Sequence, residues 1–157
     1  LFPFYDPAQP ILFKLAGGGS TFFAGDLAAA DVNNDGLIDI VGTRLSTKES
    51  LINPETEVRI YYGKKNATNG TSGILFSKQP DAIIKPAGSM MVLDIIDING
   101  DRRADVIIAF VNIGVTQIIK MLVTRSVSIE AAYYAMQADG SYPEKPDDTQ
   151  TLHCIFP

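Results

Sequence analysis

A twelve-residue acidic segment, Ala30-Asp31-Val32-Asn33-Asn34-Asp35-Gly36-Leu37-Ile38-Asp39-Ile40-Val41, returns as Ile96-Asp97-Ile98-Asn99-Gly100-Asp101-Arg102-Arg103-Ala104-Asp105-Val106-Ile107, offset by 66 residues at every acidic position. The same offset carries Phe76 to Tyr142, Pro80 to Pro146 and Asp81 to Asp147. Repetition on this scale restricts the architecture, because one such unit cannot bury its apolar face alone and has to stack on a neighbour. The period divides residues 1–157 into one repeat region with units at approximately 1–50, 51–115 and a partial 116–157.

Between the acidic loops lie short β-branched and aromatic runs bounded by Gly, Pro, Asn or Asp, the punctuation of strands. They are Val58 to Tyr62, Ala82 to Ile84, Met90 to Ile95, Val106 to Val111 and Gln117 to Val123. The apolar stretch Ala104 to Val123 thus reads as two strands around a turn at Asn112-Ile113-Gly114. Ile129 to Met136 reads as another strand, since Tyr133-Tyr134 stands before a turn as Tyr61-Tyr62 does; Val127 to Met136 is the one segment that competes as a helix. A unit of this length with about four short strands is the size of a propeller blade. The expected fold is all-β, a partial β-propeller of roughly two to three four-stranded blades.

Within each acidic loop, side-chain oxygens recur at positions 1, 3, 5 and 9: Asp31, Asn33, Asp35 and Asp39, then Asp97, Asn99, Asp101 and Asp105. That spacing winds hard donors around one centre, and the position-7 carbonyls of Leu37 and Arg103 can complete it. All-oxygen donors in a flexible loop suit calcium better than magnesium or zinc, so two calcium sites are expected. Three carboxylates crowded without a cation raise one another's pKa, so the ion also relieves the loop. An EF-hand shares this opening but needs a Glu at position 12 and flanking helices. Position 12 here is Gly42 or Ile108, and strand sequence follows. The plainer alternative is that Asp, Asn and Gly merely build tight turns. Position 6, where a positive φ suits glycine, is Gly36 in the first loop and Arg102 in the second, with Gly100 at position 4 as a compensation.

The two loops, Asp31-Val32-Asn33-Asn34-Asp35-Gly36-Leu37-Ile38-Asp39 and Asp97-Ile98-Asn99-Gly100-Asp101-Arg102-Arg103-Ala104-Asp105, resemble the FG-GAP or VCBS repeats, a family that includes the integrin α-subunit propeller. The resemblance covers residues 20–110 best. It implies four-stranded blades with calcium in a loop joining two strands, and extracellular adhesion or carbohydrate-associated roles.

Composition excludes other classes. Apolar residues make up 46% of the chain and charged ones 20%, so a packed core is expected. The formal charge is −5, with no basic stripe for nucleic acid. Two bound calcium ions would bring that charge to −1, so most of the acidity serves internal sites. No transmembrane window appears, and a secretory signal is expected to be cleaved or to lie outside the sequence, which begins at Leu1. Asn66-Ala67-Thr68 and Asn69-Gly70-Thr71 are two glycosylation sequons, which suggest an extracellular glycoprotein with sugar on Asn66 or Asn69.

Some residues look chemical without being so. His153 and Cys154 are neighbours and on a strand would face opposite ways. Gly17-Gly18-Gly19-Ser20 lacks the Lys-Ser/Thr of a phosphate cradle. Asp26, Asp94 and Asp147-Asp148 form no recognisable carboxylate pair, and Asp81 reads as surface. The chain is therefore expected to be no enzyme. It is read as a calcium-binding extracellular module for adhesion or for a protein or glycan partner. The alternative is a structural subunit of a glycosylated fibre or coat assembling through blade edges. In both, an arc of two to three blades is completed by a longer chain or by copies of itself.

Overall fold

The computed structural model describes residues 27–46, 55–68, 71–112 and 114–156. The first sheet contains β1 (Leu27–Ala30), β2 (Asp39–Ser46), β3 (Glu55–Tyr61) and β6 (Ala82–Ile84), hydrogen-bonded in that order and antiparallel throughout. A two-stranded hairpin, β4 (Lys64–Thr68) and β5 (Thr71–Leu75), is inserted between β3 and β6. The second sheet is β7 (Ser89–Ile96), β8 (Asp105–Val111), β9 (Ser126–Tyr134) and β10 (Asp148–Ile155), again an antiparallel meander in chain order. The described part of the chain is therefore mostly β, as expected.

Strand pleating divides each sheet into two faces. On β3, Val58 and Ile60 are buried with Ile84 of β6 and Val41 of β2. On β8 the alternation selects Val106, Ile108 and Phe110, joined from β9 by Ala132 and Tyr134. These residues form a single apolar cluster between the sheets, with Val32 and Met136 at its loop end. The faces turned away differ. The first sheet carries charge there: Glu57 lies 2.7 Å from Arg59, 3.3 Å from Lys85 and 3.8 Å from Arg44. Burial acts to raise its pKa, but hydrogen bonds and charge from Arg59 and Lys85 prevail and hold it below the usual carboxylate range. The second sheet instead exposes Val92 (57%), Ile96 (50%) and Leu152 (59%).

One expected strand is corrected. Gln117 to Val123 lies in a helix, α1 (Val115–Thr124), in the β8–β9 connection. Gln117, Lys120, Met121 and Leu122 are good helix formers, and Arg125 ends the helix in the left-handed conformation at φ 49°. Val127 to Met136, by contrast, lies mainly in strand β9.

Candidate metal centre

The two acidic loops share one backbone. Positions 4 and 6 are left-handed in both: Asn34 (φ 59°) and Gly36 (φ 84°), then Gly100 (φ 79°) and Arg102 (φ 70°). Glycine thus occupies one of the two left-handed positions in each loop, and a different one each time. The position-1 carboxylate gathers the turn: Asp31 accepts from the N–H groups of Asp35 (3.0 Å) and Gly36 (2.9 Å), and Asp97 from those of Gly100 (2.7 Å) and Arg102 (2.9 Å). Asn33 and Asn99 each accept the N–H two residues on, as do Asp35 and Asp101.

Position 9 faces elsewhere. Asp39 and Asp105 are each 0% exposed. They are the first residues of β2 and β8, and their side chains are turned onto the sheet. Asp39 accepts from Val32 N–H through Oδ2 (2.9 Å) and from Gly63 N–H through Oδ1 (2.8 Å). Gly63 is required there, because a Cβ would collide with the carbonyl of Ile38. Asp105 repeats the pattern with Ile98 N–H (3.1 Å) and Met136 N–H (3.1 Å), and adds the Tyr133 hydroxyl (2.9 Å). Each position-9 carboxylate therefore staples its loop to the far end of the third strand of the sheet. Burial raises the pKa of Asp39, against the lowering effect of its backbone donors, while Asp35 adds repulsion. Burial and the bond to Asp105 push the Tyr133 phenol up to about 12.

Among the described residues, no three carboxylate, His or Cys side chains come together closely enough to hold a metal ion. The side-chain oxygens on the open side of the first loop are those of Asp31, Asn33 and Asp35. All are hard donors, and each carboxylate oxygen retains acceptor capacity beyond its one N–H bond. In the second loop a guanidinium has entered: Arg103 lies 2.7 Å from Asp101 Oδ2, so that carboxylate has an internal counter-ion. Among the described residues no Lys or Arg pairs in this way with Asp31 or Asp35.

A second acidic pair repeats as well. Asp81 accepts Tyr62 N–H (3.0 Å) and Asp147 accepts Ala135 N–H (2.8 Å), each just before the outermost strand of its sheet. Asp81 also meets Lys64 at 2.8 Å, so it is more engaged than a bare surface position. Asp94 accepts the N–H of Ile95. His153 Nδ1 contacts Ser128 Oγ across the strand pair at 3.0 Å and not Cys154, as strand alternation predicts. Asn66 lies on β4, opposite Gly73. Asn69, Gly17 to Ser20 and Asp26 lie outside the described residues.

The staples reveal a compensation that the constant offset conceals. Asp39 reaches its third-strand partner across 24 residues and Asp105 across 31, so the second unit is seven longer there. From Tyr62 to Asp81 is 19 residues and from Ala135 to Asp147 only 12, so the second unit is seven shorter afterwards. The surplus in the first unit lies in the segment holding the β4–β5 hairpin, and in the second in the connection holding α1.

Asp105→Ala is expected to cost about 3 kcal/mol in urea unfolding, because it orphans one buried N–H group, one part-buried N–H group and a hydroxyl; Tyr133→Phe, which removes one donor, should cost only about 1 kcal/mol. Equal costs would count against the staple. Arg102→Gly should stabilise by roughly 0.5–1 kcal/mol, the relief of a left-handed Cβ less the added entropy of glycine. A loss of stability would show that Arg102 is not strained.

Neither the curated proteins nor the solved structures contain a match to the chain. The FG-GAP-like repeat family matches residues 31–108, from position 1 of the first loop into β8. Repeats of this family suggest a β-propeller-like module, often found in extracellular and adhesion proteins, and are typically non-enzymatic. Among the described residues, no helix is long and apolar enough to cross a membrane. Both acidic loops lie inside the matched span, and over residues 31–108 the chain is similar to the FG-GAP-like repeat family.

Proposed function

We propose that this chain is a two-blade arc of an extracellular β-propeller, a non-enzymatic module whose calcium-stiffened loops support binding to a protein or glycan partner. The observation that carries this reading is the duplicated unit: an acidic loop with one backbone, stapled by a buried Asp into a four-stranded meander, twice over and packed face to face. Calcium in the first loop would be held by Asp31, Asn33 and Asp35 with the Leu37 carbonyl, while Asp39 stays committed to the main chain behind the loop. In the second loop the donors would be Asp97, Asn99, Asp101 and the Arg103 carbonyl, with Asp105 committed to the main chain and Tyr133. The Arg103 guanidinium competes there, so the first site is the tighter one. The ion would supply charge compensation and rigidity.

Calcium at a hundredfold excess over Kd stabilises by about 2.7 kcal/mol. At roughly 2–4 °C per kcal/mol for a chain of this size, a chelator should lower the Tm by about 5–10 °C. Asp35→Ala should abolish more of that shift than Asp101→Ala. A melt unchanged between calcium and chelator would refute the metal sites.

The alternative role, a subunit that assembles into a larger coat or fibre, draws support from the unequal outer faces. Val92, Ile96 and Leu152 form an apolar surface beyond the second sheet, whereas the corresponding face of the first is charged. A further sheet, from a longer polypeptide or another copy, would cover it. Light scattering of the 157-residue chain should show association that Val92→Asp with Leu152→Asp weakens. A monodisperse monomer at high concentration would leave that face without a partner of its own kind.

A further inference from the structure

We propose that the two acidic loops order as one unit, joined by a hydrogen-bond relay running Gly63–Asp39–Val32–Ala104–Tyr142. Val32 is position 2 of the first loop, and its N–H is held by Asp39. Its carbonyl accepts the N–H of Ala104, position 8 of the second loop, at 2.7 Å. The carbonyl of Ala104 in turn accepts the Tyr142 hydroxyl at 2.7 Å, from the connection between β9 and β10. A further bond crosses between the sheets beside it, from the Tyr62 hydroxyl to the carbonyl of Gly140.

The relay lies where the loops enter the interior. Val32 is fully buried in the intersheet cluster, and Ala104 and Tyr142 pack against that cluster. The remaining turns of both loops stand largely in water and are held by their own side-chain oxygens. If the first loop unwinds, Val32 withdraws, and the Ala104 N–H loses its acceptor in a place where water does not readily replace it. Ala104 sits between Arg103, the last position-7 donor, and the staple Asp105, so the second loop loses its anchor at the same time. Tyr142 is thus a positioning residue for both loops. Any ion that orders the first loop lowers the cost of ordering the second, which is positive coupling without a shared ligand. The relay itself needs no ion and can be tested without one.

Amide hydrogen exchange of the full chain by NMR, in chelator, separates this from the calcium reading. Asp31→Ala opens the first loop on its exposed side. Exchange should accelerate by roughly fivefold or more, the equivalent of one hydrogen bond, at Ile98 and Arg102, second-loop amides whose bonds go to Asp105 and Asp97. Tyr142→Phe should conversely accelerate Asp35 and Gly36 in the first loop. Ser128→Ala, which removes the contact to His153 at the end of β9 opposite the loops, should leave these amides unchanged. Deprotection confined to the mutated loop would overturn the relay, and so would equal deprotection by Ser128→Ala. Neither outcome depends on whether calcium alters the melt.

Discussion

A buried carboxylate that spends its oxygens on main-chain N–H groups organises each half of this molecule. Asp39 and Asp105 lie at the start of a strand, and each reaches back to position 2 of its loop and forward to the residue just past the third strand. Burying such a charge is costly unless its lone pairs are occupied. Here they are occupied by backbone, so the carboxylate fixes three chain segments in one place. The acidic loop, the strand ends and the intersheet cluster beside Val32 and Met136 all depend on that arrangement.

The scaffold tolerates change wherever the staple is not involved. One unit carries a hairpin after its third strand, and the other a helix before it, and the total length is the same. Both insertions leave the strand pairing intact, because they enter between elements whose ends are pinned by Asp81, Asp147 and the position-9 pair. The two left-handed positions show similar freedom: a glycine at either keeps the turn, with Asn34 or Arg102 accepting the less comfortable conformation at the other.

Much of this was legible in the residues. The period, the oxygen spacing and the β-branched runs located both loops and most strands, because strand alternation and turn chemistry are local properties. Three features were less accessible. Spacing alone does not say which way a side chain faces, so Asp39 and Asp105 counted as loop donors; the clue was that apolar strand sequence begins at the next residue. Val115, Ile118, Ile119, Leu122 and Val123 follow a helical period, but their β-branched composition argues for a strand, and only the register of β8 against β9 decides. The hydroxyl of Tyr142 acts across 38 residues, where no motif signals contact, and the guanidinium of Arg103 folds back onto Asp101 two residues away, an orientation that spacing does not specify.

Both sheets are meanders, apart from one local hairpin, so each strand pairs with a strand nearby in the chain. The staples close loops of only 24 and 31 residues. Little loop-closure entropy has to be spent before contacts form, and such local topology favours rapid folding for a β protein. During synthesis the first sheet can complete its own pairing before the second has emerged. Its exposed apolar face and the waiting carbonyl of Val32 then form a template on which the second acidic loop settles. The order of assembly thus follows the order of the chain, and each finished unit prepares the surface that receives the next.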